Sequence, residues 1–272
     1  MPEDQSHEGQ GNLRIHDLMP LNFKDVGFSY PNRPGKKVLN NFNLKIPKGS
    51  CTAIVGPSGS GKSTIASLLL ALYPSPPSAG NIGTITLGGV NIRNIHVPTL
   101  RSLISIVPQD PTLFPASIKE NIVYGLPEHS SLNTFANIQA AATAAGIHDF
   151  ISSLPSGYDT LVGDGGVGVS GGQAQRIVIA RALVRRPRLL ILDEATSSLD
   201  VESATVIKQT VARLMASGKS LTVIIITHAK NLMELADNVV VVDGGAVVEE
   251  GTFSGLSSRS GGRLRRLLRM QL

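Results

Sequence analysis

Uninterrupted apolar stretches alternate along the chain with stretches of helical periodicity. Segments such as "LLILD" at 189–193 and "VVVVD" at 239–243 carry no polar residue at alternate positions. A strand that is buried on both faces of a parallel sheet has this pattern. We therefore predict an α/β fold with a mostly parallel core sheet covered by helices. Its strands are predicted at residues 51–56, 103–107, 189–193, 221–226 and 238–242.

Two further regions have different patterns. Residues 20–50 and 81–93 alternate apolar with polar positions and contain turn residues, which predicts an antiparallel β lobe beside the core sheet. From Ser117 to about Ser170, the alanine-rich "IQAAATAAG" at 138–146 and the segments around it predict helices. We assign these to a helical lobe at about 115–186, inserted between core strands.

Length and composition favour one globular unit with lobes, because 272 residues with 42% hydrophobic residues can bury a sizeable core. We place this domain at residues 20–256. The N-terminal "MPEDQSHEGQGN" is polar and carries acids where a secretory signal has an apolar run, so we predict that residues 1–19 are a linker or disordered leader. The longest apolar runs are shorter than the ~18–20 residues that cross a bilayer. Cys51 is the only cysteine, which excludes an internal disulfide and fits a reducing compartment.

The net charge of +5 is a property of the C-terminal segment. Five arginines lie in the acid-free residues 257–272, and without them the chain is formally neutral. This gives little support to a nucleic-acid partner, and we expect none. Leucines at 264, 267 and 268 follow helical spacing, so we predict a basic C-terminal helix with a solvated arginine face. Contact with an acidic lipid surface is the alternative.

The most specific motif is "GPSGSGKST" at 56–64. It matches G-x-x-x-x-G-K-[ST], follows the apolar strand "CTAIV" and opens a helical run. Backbone amides of this loop are expected to surround a β-phosphate, Lys62 to reach the β and γ oxygens, and Ser63 to ligate Mg²⁺. The alternative is an ordinary Gly/Ser loop.

An acidic pair follows the predicted strand at 189–193. Asp193 is placed to hold the hydration shell of Mg²⁺, and Glu194 to orient or deprotonate an attacking water. The alternative is that the pair only caps the next helix. His228 follows another core strand, in "VIIITHAKN", although a lone histidine is more often structural.

A second glycine turn, "SGGQ" at 170–173, opens another predicted helix. The first amides of a helix have no intrahelical acceptor and carry a partial positive charge, so this turn is a second candidate anion site.

The order and spacing of these motifs resemble the nucleotide-binding domain of ATP-binding cassette (ABC) proteins, over roughly residues 20–255. The motifs are the Lys62 loop, "SGGQ", "LLILDEA", "SSLD" at 197–200 and "TH" at 227–228. Finer segments resemble the exporter branch of multidrug, peptide and pheromone transporters: "FSYPNRP" at 28–34, "VPQDPTLFPASIKENIVYG" at 107–125 and "PSGYDTLVG" at 155–163. The segment at 170–200 is similar to fungal members.

The resemblance implies an ABC ATPase fold with ATP and Mg²⁺ as cofactors. It implies that Tyr30 stacks on adenine, that Gln109 touches Mg²⁺ and water, and that Asp200 lies across a dimer interface. Tyr30 could instead be a strand residue of the β lobe. The implied catalytic set is Lys62, Gln109, Glu194 and His228. The implied metal ligands are Ser63, Gln109 and Asp193. The implied nucleotide contacts are Tyr30, Gly56, Pro57, Ser58, Gly59, Ser60, Gly61, Lys62, Ser63, Thr64, Ser170, Gly171, Gly172, Gln173 and Asp200.

The resemblance also implies partners. Two such domains pack head to tail, so that "SGGQ" of one closes over the γ-phosphate held by the other, and both serve a transmembrane domain on the cytosolic or matrix face of a membrane. A free-standing importer ATPase is the closest alternative. A soluble repair or chromosome ATPase would carry long coiled coils, and the motif residues argue against a non-catalytic domain. The sequence departs from the family pattern at Val169, Ala174, Leu161 and Ala229. Leu161 stands where exporters often carry glutamate, which puts in doubt the contact that couples ATP turnover to the transmembrane domain.

Overall fold

The computed structural model describes residues 13–14, 19–74, 81–127, 129–196, 201–216 and 221–269. Its elements are β1 (Leu21–Ser29), β2 (Lys37–Ile46), β3 (Cys51–Val55), α1 (Lys62–Leu69), β4 (Ile82–Leu87), β5 (Val90–Asn91), α2 (Val97–Leu103), β6 (Ile104–Val107), β7 (Ala116–Ser117), α3 (Ile118–Val123), α4 (Phe135–Ala144), α5 (His148–Ser153), β8 (Leu161–Val162), α6 (Gly171–Leu183), β9 (Leu189–Asp193), α7 (Val201–Ala216), β10 (Thr222–Ile226), α8 (Lys230–Met233), β11 (Asn238–Asp243), β12 (Ala246–Gly251), α9 (Phe253–Ser258) and α10 (Arg263–Arg269).

The central sheet has the strand order β12-β11-β3-β10-β9-β6. The five strands from β11 to β6 are parallel, and β12 pairs antiparallel with β11. Ile226 of β10 is in register with Ile54 of β3 and with Asp193 of β9. The carboxyl ends of these three strands therefore meet at one edge, where parallel α/β sheets bind ligands. The predicted parallel core is confirmed.

The β lobe is a second sheet with the order β2-β1-β4-β5, and its strands pair antiparallel. Phe23 and Phe42 face each other edge to face across β1 and β2, with ring centroids 5.4 Å apart. Large apolar side chains of this sheet share one buried cluster with α1 and the core sheet. The β lobe consequently forms a fixed wall beside the loop that precedes α1.

The helical lobe lies between β6 and β9 in sequence and consists of α3, α4, α5 and α6, whose apolar side chains share one buried cluster with α7 and one face of the core sheet. The sequence placed residues 161–170 within helices, and this prediction is wrong. The chain there forms β8 and a loop with Gly163 and Gly165 at positive φ. A Cβ on Gly163 would lie 2.8 Å from the carbonyl oxygen of Phe114, so the close approach of the two backbones requires glycine.

Both ends of the described chain contact the domain. Leu13 forms a β-bridge with Ile95, and Met19 is buried in the core. At the other end, α9 spans the predicted boundary at residue 256. In α10, Leu264 is buried and its amide donates to a carboxylate oxygen of Glu249. None of the described helices combines the length and hydrophobicity needed to cross a bilayer.

Candidate nucleotide site

The loop between β3 and α1 forms the floor of the candidate site. A Cβ on Gly56 would lie 2.0 Å from the carbonyl oxygen of Val242 in the neighbouring strand β11, so only glycine fits there. Gly61 caps α1 at φ 102°, and no side chain occupies the cap. The Thr64 amide donates to the Gly61 carbonyl at 3.1 Å, so the amides of Lys62 and Ser63 remain available to an anion above the loop.

Lys62 is the buried cation of this loop. Its Nζ donates to the carbonyl oxygens of Gly56 at 2.8 Å and Pro57 at 3.0 Å, and the residue is 5% exposed. Burial lowers the pKa of Lys62, while the nearby charges of Glu194 and Asp193 oppose that shift. The loop carbonyls thus hold the Lys62 side chain at the position where it would contact a phosphate bound by the same loop.

Ser63 and Asp193 provide a pair of oxygen ligands. The Ser63 hydroxyl donates to Asp193 Oδ1 at 3.2 Å, which joins the first turn of α1 to the end of β9. Burial raises the pKa of Asp193, the hydrogen bond from Ser63 and the charge of Lys62 lower it, and the charge of Glu194 raises it. A hydroxyl and a carboxylate at this spacing are ligands that suit Mg²⁺.

Glu194 and His228 follow adjacent parallel strands. Glu194 has φ 52°, a left-handed conformation that is uncommon outside glycine, and its amide donates to the Ile226 carbonyl at 2.9 Å. This bond holds the backbone of Glu194 against β10. His228 Nε2 then lies 3.4 Å from Glu194 Oε1. A carboxylate beside an imidazole at a sheet edge is suited to handling the proton of a water molecule.

Lys62, Ser63 and Glu194 line an open cleft of about 350 Å³. Asp193 and His228 lie behind this lining, in contact with Ser63 and Glu194 respectively.

Tyr30 forms the far wall of this cleft, where its hydroxyl lies 2.9 Å from Thr64 Oγ1. The Tyr30 ring packs edge to face against Phe28 and Tyr73, so this residue also belongs to the apolar packing of the β lobe. Arg33 and Lys36 complete that wall.

Gln109 follows β6 and is exposed, and it does not line the cleft. Its loop is held by α6 at two points. Gln175 Nε2 donates to the Pro108 carbonyl at 3.0 Å, and an Arg181 guanidinium nitrogen donates to the Thr112 carbonyl at 2.9 Å. Movement of α6 would therefore move Gln109 with it.

The "SGGQ" turn forms the start of α6. Ser170 Oγ accepts the Gln173 amide at 3.2 Å, and Gln173 Oε1 accepts the Ser170 amide at 2.8 Å. This capping box corrects one expectation, because the Ser170 amide is engaged within its own chain. The amides of Gly171 and Gly172 belong to the first helical turn, where none has an intrahelical acceptor. Within the described residues, none of the four residues 170–173 lines the cleft.

A family model for the ABC transporter matches residues 39–197, more than half of the chain. The chain belongs to the ABC transporter family.

Similar proteins include a permease and an ABC exporter. The chain is 46% identical over 251 residues to mouse ATP-binding cassette sub-family B member 10, mitochondrial, covering 92% of this chain and 34% of that protein. It is 45% identical over 249 residues to the yeast ATP-dependent permease MDL2, mitochondrial, covering 91% of this chain and 31% of the relative. A bacterial Atm1-family ABC exporter with ATP bound matches at a TM-score of 0.82 and 36% identity, over 97% of this chain and 44% of that one. The chain thus spans about a third of these curated relatives.

The described part of this ABC domain brings most of the predicted nucleotide residues together. Lys62, Ser63, Asp193, Glu194 and His228 converge at one sheet edge. The turn at 170–173 lies outside that cleft, and Asp200 lies outside the described residues.

Sequence reasoning missed the side chains that shape the cleft wall and hold the Gln109 loop: Arg33, Lys36, Gln175 and Arg181. Arg33 falls inside the quoted "FSYPNRP" segment, so the sequence held a signal for it. No pattern marks Gln175, whose function depends on a contact 67 residues away.

Proposed function

We propose that this chain is the ATP-binding and ATP-hydrolysing domain of an ABC exporter and that it works as a head-to-tail pair with a second ABC domain. One observation carries the proposal. The glycine loop before α1, the Ser63–Asp193 pair and the Glu194–His228 pair meet at one sheet edge beside one cleft, while the "SGGQ" helix start is exposed outside that cleft.

In the proposed mechanism the nucleotide lies along the cleft with its base at Tyr30 and its phosphates on the loop before α1. Lys62 Nζ exchanges its two carbonyl acceptors for β- and γ-phosphate oxygens. Ser63 and Asp193 would hold Mg²⁺, and Gln109 would reach the same region if α6 brought its loop inward. Bound there, the ion would supply positive charge that offsets the charge on the phosphate oxygens.

Glu194 is the proposed base. Its carboxylate orients the attacking water and takes up its proton, and His228 beside it contacts the γ-phosphate. The backbone of Glu194 is fixed by its bond to Ile226, so the carboxylate needs little reorganisation to act.

The "SGGQ" turn is proposed to complete the site of the partner domain. Ser170 and Gly171 are exposed at a helix start, and a helix N-terminus favours an anion through its free donors and its dipole. The capping box fixes this turn in shape before any partner arrives.

The remaining partner is a transmembrane domain. The matched relatives are about three times longer than the part this chain covers, and their names describe a mitochondrial sub-family B member and a mitochondrial permease. We propose that the domain lies on the cytosolic or matrix face of a membrane and couples ATP turnover to transport.

ATP hydrolysis by the isolated domain tests this proposal. Since two chains are needed for one complete site, specific activity is expected to rise with protein concentration, and pairing without tethering helices is expected to be weak. Phosphate release should be measured over a wide range of protein concentration, with Lys62→Ala as the inactive control. Failure of the parental chain to hydrolyse ATP above the Lys62→Ala background at any concentration would refute the assignment.

A further inference from the structure

The charge of the phosphate end of the cleft does not favour a polyanion. Lys62 is the cation there, and it lies close to two carboxylates, Asp193 and Glu194. These three side chains together carry a formal charge of −1, while a nucleotide triphosphate carries several negative charges. The side chains at this end therefore give no net electrostatic attraction, and any attraction from side-chain charge has to come from outside the loop–strand motifs.

The far wall supplies that charge. Arg33 and Lys36 both line the cleft, and both are exposed. Two consecutive turns place them there: the Arg33 amide donates to the Tyr30 carbonyl at 2.9 Å, and the Lys36 amide donates to the Arg33 carbonyl at 3.1 Å. Within the described residues neither side chain is paired with a carboxylate.

The position of the pair along the cleft is given by its neighbours. Arg33 also lines a second hollow together with Tyr30 and Tyr73, which places it toward the base end. Lys36 precedes Val38, whose carbonyl oxygen would lie 3.0 Å from a Cβ on Gly61 at the start of α1. The two cations thus lie between the proposed base position and the phosphate loop.

We propose that Arg33 and Lys36 form a second cationic contact of the site, which binds the nucleotide at its α-phosphate and attracts it from solution. This inference rests on the proposed function and deepens it. The pair would determine specificity for the phosphate chain near the ribose, a part of the ligand that Lys62 does not reach. Since both side chains are exposed, their attraction would be screened by salt.

The test compares Arg33→Gln and Lys36→Gln with Lys37→Gln. Lys37 is the exposed neighbour that does not line the cleft, so its variant controls for loss of one surface charge. Dissociation constants for ATP, ADP and adenosine are measured by calorimetry, and association rates by stopped flow with a fluorescent ATP analogue, each at low and high salt.

We expect each cleft variant to lose about three- to tenfold in affinity for ATP and ADP alike, mainly through slower association, and to show a smaller salt dependence than the parent. Adenosine binding should change no more than in Lys37→Gln. Cleft variants that match Lys37→Gln would overturn the inference while leaving the proposed function intact. A loss confined to ATP would overturn the α-phosphate assignment. A parental chain that binds neither ATP nor ADP would refute both this inference and the proposed function.

Discussion

Two glycine-containing turns in this molecule each lead into a helix N-terminus, and they differ in their caps and in the charge of their side chains. The turn before α1 has no side-chain cap and carries a buried lysine at the first helical position. The turn before α6 is closed by a capping box, and its first turn carries no charged side chain. The first turn can hold a phosphate within its own chain, whereas the second offers only amides and a helix dipole at the surface.

The two turns also differ in what surrounds their glycines. A Cβ on Gly56 would meet the backbone of β11, which cannot move without disturbing the core sheet. A Cβ on Gly172 would lie 2.0 Å from Ser203 Oγ, a side chain near the start of α7. The first turn is therefore anchored to the sheet, and the second to the helix that follows the Glu194 segment. This difference means that the position of the first turn depends on the core sheet, whereas that of the second depends on α7.

The largest expected effect concerns the chemistry beside the first turn. Glu194→Gln should lower turnover by about 10²–10⁴-fold, because a positioned base contributes that much, and should leave ATP affinity nearly unchanged. Steady-state phosphate release and calorimetry measure the two quantities. Glu234→Gln, a change at an exposed carboxylate paired with Lys230, is the matched control.

The Glu194→Gln variant should also accumulate as an ATP-bound dimer on a sizing column, because the nucleotide that holds the pair together is not cleared. Turnover at the parental rate would show that Glu194 is not the base. The comparison would then lack evidence that hydrolysis takes place beside the first turn.

A smaller effect concerns the anchoring of the second turn. Gly172→Ala should reduce the free energy of unfolding by about 1–3 kcal/mol, because the added Cβ has no room beside Ser203. Gly168→Ala is the control, since a Cβ there meets no atom within 4 Å. Denaturant unfolding measures both.

The contact itself can be isolated with Ser203→Gly. This change removes both side-chain atoms closest to the new Cβ, at a cost of about 1 kcal/mol for glycine in a helix. The double variant should lose less free energy of unfolding than the sum of the losses in the two single variants. Equal stability of Gly172→Ala and Gly168→Ala would mean that the second turn is not anchored through Ser203.

The parallel core could be predicted from sequence almost to the residue, and the reason is physical. Strands that are buried on both faces need continuous apolar residues, so "LLILD" and "VVVVD" mark their own bounds. Residues 161–170 were missed because a helical lobe was extended through glycines that form a tight loop against Phe114. The alanine-rich segment nearby favoured helix, although the glycines of 161–170 indicate turns.

The candidate site was predictable to the extent that its residues follow strands or open helices. Lys62, Asp193 and Glu194 each occupy such a position. Arg33 was marked only by its place in the "FSYPNRP" segment and Lys36 by no pattern, because their position over the cleft depends on how the β lobe packs beside the loop before α1. Pairwise contacts between distant segments leave no pattern in a single sequence.

The central claim is that the two turns belong to the same catalytic site only when they come from different chains. Two inactive preparations test it most directly. Lys62→Ala removes the cation of the first turn, and Ser170→Arg places a bulky side chain on the exposed start of the second. The Ser170→Arg chain should still bind ATP, because residue 170 does not line its own cleft.

Each mixed dimer of the two variants then holds one site with both lesions and one site with neither. ATP hydrolysis should return when the preparations are combined in equal amounts, to about a quarter of the parental rate if the two sites act independently. The recovery should rise with total protein concentration. No recovery on mixing, together with parental specific activity that does not depend on concentration, would contradict the account and show that the second turn acts within its own chain.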